Sequence, residues 1–407
     1  MQSSLTHFII VADDLTGAAD TAARCFGAGL PAVVYPKPLQ HDLAAGAAAF
    51  TSDSRHMQAA QAAQAVAELI AGIDAPPQAI WYKKIDSTLR GNLGSELDAM
   101  LRALADSQSR NVAPACAVIC PAFPDQGRGL RQGELVLHAG GAQNIHLPAR
   151  LAEQTARPQV TIALADVRAG AAHLGQRLQK SVQDGTQFLI IDALTNADLT
   201  TIVTAARQAV PQALFCGSAG LAGALARQLW PQHSSTSSHA ADRTWSAAET
   251  ATLVVAGSGN PIAQQQIQQL RGKRHVRAIE WQAQPASALD PELMVSHSAL
   301  LMHLPPPPAS AQLDGPEARI QADRLGEQAA SAWQIVQPRR VILTGGDTAM
   351  AVLSKVGIAR LQIIEEVMPG IPLALGQDKW GRVVQVILKP GGFGDEQTLA
   401  TLIDIEC

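Results

Sequence analysis

Aromatic side chains are scarce in this sequence: six Trp, two Tyr and seven Phe make up 4% of its 407 residues. Hydrophobic residues still reach 47%, so the chain reads as Ala-rich, globular and ordered rather than low-complexity. Cysteine is sparse too. The five, Cys25, Cys116, Cys120, Cys216 and Cys407, are odd in number, scattered and mostly set in apolar runs. They show no zinc spacing and suit small buried hydrophobes in a reducing compartment. Excess positive charge is missing as well: a net charge of -4 and a pI near 6.3 leave no basic face for a nucleic-acid backbone. Small ligands, anionic ones among them, fit better. No apolar run is long enough to cross a bilayer, and the opening M-Q-S-S-L-T-H lacks a basic region followed by a long apolar stretch. The expectation is a cytoplasmic protein with no nucleic-acid or membrane partner, its oligomeric state left open, a homo-oligomer included.

What is present is organised around residues 8–25, F-I-I-V-A-D-D-L-T-G-A-A-D-T-A-A-R-C. The apolar run 8–12 suits a strand buried on both faces, and Asp13 and Asp14 follow it without a spacer. Thr16 is placed to cap a helix over 18–26, Gly17 keeps the turn free of bulk, and Gly27 and Gly29 stop the helix. A second strand at 32–35 completes a βαβ unit. Ligands of open α/β sheets gather at the carboxyl ends of strands, where the two aspartates sit. The plain alternative is that Asp14 only caps the helix and Asp13 is solvated.

At this length two domains of roughly 150 to 230 residues are the natural prior, and strands and helices alternate almost throughout. The predicted fold class is α/β, with two domains, each a mainly parallel sheet flanked by helices. Strands are predicted at 79–82, 116–120, 160–164, 188–192 and 213–216, with a hairpin arm over 128–137. From 231 to 243 the composition P-Q-H-S-S-T-S-S-H-A-A-D-R has nothing to bury and reads as a linker. Beyond it lie a strand at 252–256, a helix capped by Asn260 with Pro261 first, a stiff P-P-P-P connection within 304–310, a helix near 318–335, and strands at 341–343 and 383–388.

Two groups of loops carry chemistry. In the second half, G-S-G-N-P, T-G-G-D-T and P-G-G-F-G-D each follow a strand. Glycine lets backbone N–H groups approach phosphate oxygens, and a helix start adds about half a positive charge. Three such turns on one sheet edge make a nucleotide-phosphate cradle. None matches a P-loop or a Rossmann turn. In the first half, Lys83, Lys84, Asp86 and Arg90 crowd one loop, with Asp13 and Arg55 on neighbouring loops. Cations beside carboxylates suit an anionic substrate with hydroxyls; the alternative is a solvated salt-bridged loop. Ile85 and Leu89 alternate with the charges, so some of these point inward. His138, His146 and Lys389 show no such convergence and read as ordinary surface residues.

These motifs, together with I-V-A-D-D-L-T-G-A-A-D-T, Y-K-K-I-D-S-T-L-R-G-N, C-P-A-F-P-D-Q-G-R and G-S-A-G-L-A, resemble the four-carbon acid sugar kinases across residues 11–395. The resemblance implies ATP-dependent phosphorylation of the terminal hydroxyl of D-threonate, D-erythronate or 3-oxo-tetronate, with threonate or erythronate favoured. It implies an acid-sugar domain over 1–230, a linker over 231–247 and a nucleotide domain over 248–407. Matched position by position, it places substrate contacts on Asp13, Arg55, Lys83, Lys84 and Asp86, and ATP contacts on Ser258, Gly345, Gly346, Asp347, Thr348 and Gly391. The family often carries Glu where Asp347 stands and Phe where Leu15 stands; the second difference bears on which acid is chosen. The roles that follow are Asp13 as hydroxyl-orienting base with Asp14 chiefly a cap, Lys84 and Arg90 as cations near the transferred group, Arg55 or Lys83 on the substrate carboxylate, and Asp86 on a hydroxyl. Mg²⁺ would be held by ATP oxygens and water, with Asp347. Closure of the two domains would exclude water. An aspartyl-nucleophile phosphatase needs an Asp where Leu15 stands, and a ligand sensor without turnover would need an effector segment that is not visible.

Overall fold

The structure is a computed structural model that describes residues 7–37, 43, 45–106, 114–137, 145–230, 251–281, 297–306 and 315–405. The expected linker, His138, Cys407 and the second half of the proline run fall outside them. The chain divides into two compact units, Met1–Thr236 and Ser237–Cys407. Among the described residues no helix is long and apolar enough to cross a membrane.

The first unit holds an all-parallel sheet. In spatial order its strands are β2 (Ala32–Tyr35), β3 (Gly46–Thr51), β1 (His7–Ala12), β4 (Ile80–Lys84), β10 (Leu214–Gly217), β5 (Ala117–Cys120), β9 (Phe188–Ile191) and β8 (Gln159–Ile162). Most are short and apolar because both faces are covered, while β4 ends in two lysines and the terminal strand β8 is only partly buried. Helices α2 (Ala59–Ala71) and α3 (Leu93–Asp106) pack together, as do α1 (Leu15–Gly27) and α8 (Ala219–Leu229). Ile9, Val11, Phe50 and Trp81 join the core lined by Val66, Leu69, Leu97 and Met100 of α2 and α3. After β1 the chain goes to β2 and β3 on one side, and then to β4 and beyond on the other. The carboxyl ends of β1 and β4 therefore form the switch point at which such sheets leave a crevice. Register places Ala12 beside Thr51 and Lys84, and Lys84 beside Gly217, on one edge. The predicted hairpin arm is β6 (Arg128–Arg131) with β7 (Glu134–Leu137).

The second unit holds β12 (Val276–Glu280), β13 (Ala299–His303), β11 (Thr252–Ala256), β14 (Arg340–Thr344), β17 (Val383–Lys389), β16 (Ile371–Gln377) and β15 (Leu361–Met368), in that spatial order. The first five are mutually parallel, whereas β15, β16 and β17 run antiparallel. That antiparallel extension and the strands β12 and β13 went unpredicted. The Pro369–Gly370 turn, with Gly370 at φ +77°, was the available signal for the β15–β16 hairpin. Ala256, Thr344 and Lys389 end their strands in register, with His303 beside Ala256. The buried thiols of Cys25, Cys116, Cys120 and Cys216 match the expected role as small hydrophobes.

Candidate functional site

At the first edge, Asp14 rather than Thr16 caps α1: its Oδ1 accepts from the Gly17 N–H at 2.8 Å, and the Thr16 hydroxyl donates to Oδ2 at 2.6 Å. The helix therefore starts at Leu15, three residues earlier than predicted. Arg55, brought in by the loop after β3, donates to both oxygens of Asp13, at 2.7 and 2.9 Å, and to Asp14 at 2.7 Å. The loop is pinned there because Ser54 and Arg55 donate backbone N–H groups to the Asp13 carbonyl. Burial alone would raise the Asp13 carboxyl, but Arg55, Lys83 and Lys84 outweigh it and hold the group below the usual carboxylate range. Asp13 is thus held toward its anionic form, in which both oxygens accept hydrogen bonds.

Lys83 and Lys84 are the last residues of β4, not loop residues, because the strand runs two residues beyond its expected end. Alternation along a strand sends adjacent side chains to opposite faces. Lys83 turns toward α3, fully buried, and pairs with Glu96 at 2.8 Å, while Ser54 donates to the other Glu96 oxygen at 2.7 Å. Burial would lower Lys83, yet Glu96 and Asp13 raise it above the ordinary lysine value. Lys84 turns toward α1. A Cβ on Gly17 would lie 2.9 Å from its Nζ, so the bare glycine makes room for the ammonium. Lys84 is 4% exposed, and its ammonium has no hydrogen bond or ion pair among the described residues. Asp86 accepts from Thr88 at 2.6 Å and from the half-exposed Arg90 at 2.5 Å. Burial opposes its ionisation, but Arg55 and Arg90 hold it far below the usual range. Arg128 of β6 reaches into the same loop and donates to the Ser87 hydroxyl. Glu96 and Arg128 were not selected from the sequence; the C-P-A-F-P-D-Q-G-R motif contained Arg128, but nothing in spacing ties Glu96 to Lys83.

At the second edge the three glycine loops meet. A Cβ on Gly391 would lie 2.1 Å from Ser258 Oγ, and one on Gly257 2.1 Å from Thr348 Oγ1, so the loops touch backbone to side chain. Gly345 sits at φ +100° and precedes α11 (Gly346–Val356) without a side-chain cap, so the start of that helix is closed by no side chain of its own N-cap residue. Thr344 Oγ1 is buried with no hydrogen-bond partner among the described residues. Asn260 caps α9 (Pro261–Arg271) as expected, accepting from Ile262 at 3.0 Å. Uncapped amides and an orphaned hydroxyl fit the oxygens of a phosphate chain.

The comparisons with known proteins cover both units. Residues 8–225 match the sugar-binding N-terminal domain and residues 307–399 the nucleotide-binding C-terminal domain of one family. A D-threonate kinase of Bordetella bronchiseptica is 31% identical over 96% of this chain and 95% of its own. The chain belongs to the four-carbon acid sugar kinases. A D-threonate kinase of Salmonella typhimurium is 30% identical over 96% of both chains, and a 3-oxo-tetronate kinase of Brucella melitensis 27% identical over 95% and 93%. A solved structure from Salmonella typhimurium LT2, titled a putative tRNA synthase, aligns with TM-score 0.75 at 24% identity over 97% of this chain and 98% of its own, and so speaks to the fold alone. As a four-carbon acid sugar kinase the chain is a phosphotransferase with an alcohol acceptor, and its nucleotide-binding domain implies use of ATP.

In this kinase Lys389 is not the surface residue that the sequence suggested. It is fully buried, donates to the carbonyls of Pro390 at 2.9 Å and Gly391 at 3.2 Å, and burial pushes it down to about 7. His146 is exposed, as the sequence suggested, and caps α4 (Leu147–Ala152). The folded-state value of Lys389 lies below the unfolded one, so above pH 7 the unfolded chain holds more protons and this group's contribution to stability rises with pH. Lys389→Met, which cannot titrate, should compare best with the parent protein at pH 6 and worst at pH 9. The gap in melting behaviour should move by the equivalent of about 2 kcal/mol. A gap that stays constant across that range would mean that Lys389 titrates like an ordinary lysine.

Proposed function

We propose that this kinase transfers the γ-phosphoryl group of ATP, bound with Mg²⁺, to the terminal hydroxyl of D-threonate or D-erythronate in the cytoplasm. The observation that carries the acid-binding half is the constellation at the switch point: two carboxylates clamped by Arg55 beside Lys84, a nearly buried ammonium with no hydrogen bond or ion pair among the described residues. Such an ammonium costs free energy unless an anion meets it. Kinases named for D-threonate at 30 and 31% identity over nearly the whole chain favour threonate or its epimer over the oxo acid.

Phosphoryl transfer asks the protein mainly for position and charge compensation. Asp13, held ionised, accepts the acceptor hydroxyl's hydrogen bond and aims its oxygen; as a weak base it orients more than it abstracts. Lys84 and Arg90 neutralise charge on the moving group, each contributing roughly 2 to 4 kcal/mol of barrier lowering. The N–H groups of Arg55 that remain beyond its two carboxylates take the substrate carboxylate, and Asp86 takes a hydroxyl. Lys83, expected on the substrate, becomes a positioning residue because its ammonium is spent on Glu96. Ser258, Gly345, Gly346, Asp347, Thr348 and Gly391 take the nucleotide. No cluster of three or more metal-ligating side chains occurs among the described residues. A magnesium ion would therefore draw its ligands from nucleotide oxygens and water, with Asp347 as the carboxylate of the cradle.

The test is coupled ADP release with D-threonate, D-erythronate, their L-epimers and 3-oxo-tetronate. The expected result is fastest turnover, by kcat/KM, on one of the two D-acids. Preference for the oxo acid would move the assignment to that substrate, and ATP binding without turnover on any acid would overturn it.

A further inference from the structure

The P-G-G loop after β17 is held from beneath by a side chain that the sequence presents as an ordinary surface residue. Lys389 lies wholly inside the second unit, yet no carboxylate pairs with it among the described residues; its ammonium donates only to the Pro390 and Gly391 carbonyls. No peptide bond in the described chain is cis. In a trans peptide the C=O and the following N–H point to opposite sides. Drawing the Pro390 carbonyl toward Lys389 thus turns the Gly391 N–H away from it, and drawing the Gly391 carbonyl turns the Gly392 N–H away likewise. Neither N–H has an acceptor among the described residues.

The loop is tied to its neighbours at the same time. Gly345 donates to the Lys389 carbonyl at 3.3 Å, and Gly391 abuts Ser258 so closely that a Cβ there would lie 2.1 Å from its hydroxyl. The two free amides therefore sit with Ser258 and the uncapped start of α11. From this we infer that Lys389 is the positioning residue of the nucleotide cradle: it fixes two peptide planes so that the Gly391 and Gly392 amides stand ready as donors to a nucleotide phosphate. The inference rests on the nucleotide reading of this edge. A buried cation without a counter-anion destabilises the free protein, and an anionic phosphate chain one peptide plane away offsets that cost on binding. Burial pushing Lys389 down to about 7 is the same cost seen as an acid–base property.

The experiment is calorimetric binding of adenosine, ADP and ATP to the full chain and to Lys389→Met, which keeps the length and removes the donors. Affinity for ADP and ATP should fall about 10- to 100-fold, the effect of losing charged hydrogen-bond geometry, while adenosine, which has no phosphate, binds as before. Unchanged ATP affinity, or an equal loss for adenosine, would overturn the role. Because that variant could fold poorly, a second measurement uses the parent protein labelled with ¹⁵N-glycine. ADP should shift the Gly391 and Gly392 amide resonances and adenosine should not; amides indifferent to ADP would also overturn it. If the parent protein binds no nucleotide at all, the nucleotide reading itself falls, an outcome distinct from either.

Discussion

Asp13→Asn should lower kcat by about 10² to 10⁴, the usual range for losing a positioned acceptor of the reacting proton. The geometry sharpens why. Both Asp13 oxygens face Arg55, and an amide in that place sets an N–H donor against the guanidinium while removing the charge proposed to orient the hydroxyl. Arg55 keeps Asp14 as a partner, at 2.7 Å, so the fold should persist with a modest fall in melting temperature. Asp14→Asn separates the two roles. The sequence presents Asp14 as a cap that Asn could replace, but Oδ2 of Asp14 also accepts from Thr16 and Arg55. An Asn there keeps either the cap or those two bonds, so turnover should drop by roughly tenfold, about the value of one lost hydrogen bond to a charged group. Steady-state kinetics on both variants decides it. Near-parental turnover in Asp13→Asn would remove that carboxylate from the chemistry, and a dead Asp14→Asn beside an active Asp13→Asn would exchange their roles.

Legibility of these features from sequence followed the range of the interaction. The β1–α1 turn was readable because an apolar run meeting two aspartates and a glycine is a local signal, and Asn260–Pro261 announced a helix start for the same reason. The three glycine turns were readable because glycine at a strand end has few uses. Long-range partners were not. Lys83 and Lys84 looked alike as neighbours, and only the extension of β4 to Lys84 assigns them to opposite faces. Charge at 83 suggested a strand end because buried charge is rare; the carboxylate that permits it, Glu96, comes 13 residues later on α3. Lys389 misled for the opposite reason. Its partners are backbone carbonyls, which every sequence possesses and none displays.

The same pair yields the largest stability effect. Glu96→Ala should destabilise the first unit by about 3 to 5 kcal/mol, because it strands the Lys83 ammonium in a place with no water. Lys83 is 0% exposed and Glu96 1%, and the remaining hydrogen bond of Lys83, to the Lys84 carbonyl at 3.0 Å, does not neutralise its charge. The orphaned cation also lies close enough to help hold Asp13 ionised, so any shift it makes is felt by the carboxylate proposed to aim the acceptor hydroxyl. A double replacement, Lys83→Met with Glu96→Leu, removes both charges and fills similar volume. Buried ion pairs exchanged for apolar residues are often neutral or better, so most of the lost melting temperature should return. Turnover should not return with it, since Asp13 then lacks one of the cations that hold it charged and Ser54 loses the carboxylate that anchors its loop. Chemical denaturation of the first unit and kcat on the preferred acid, measured on all three proteins, distinguish the outcomes. Recovery of both stability and turnover in the double variant would show that the pair serves the fold alone. Recovery of stability without turnover would show that the buried Lys83–Glu96 pair supports the site from behind, through its charge beside Asp13 and its hold on Ser54.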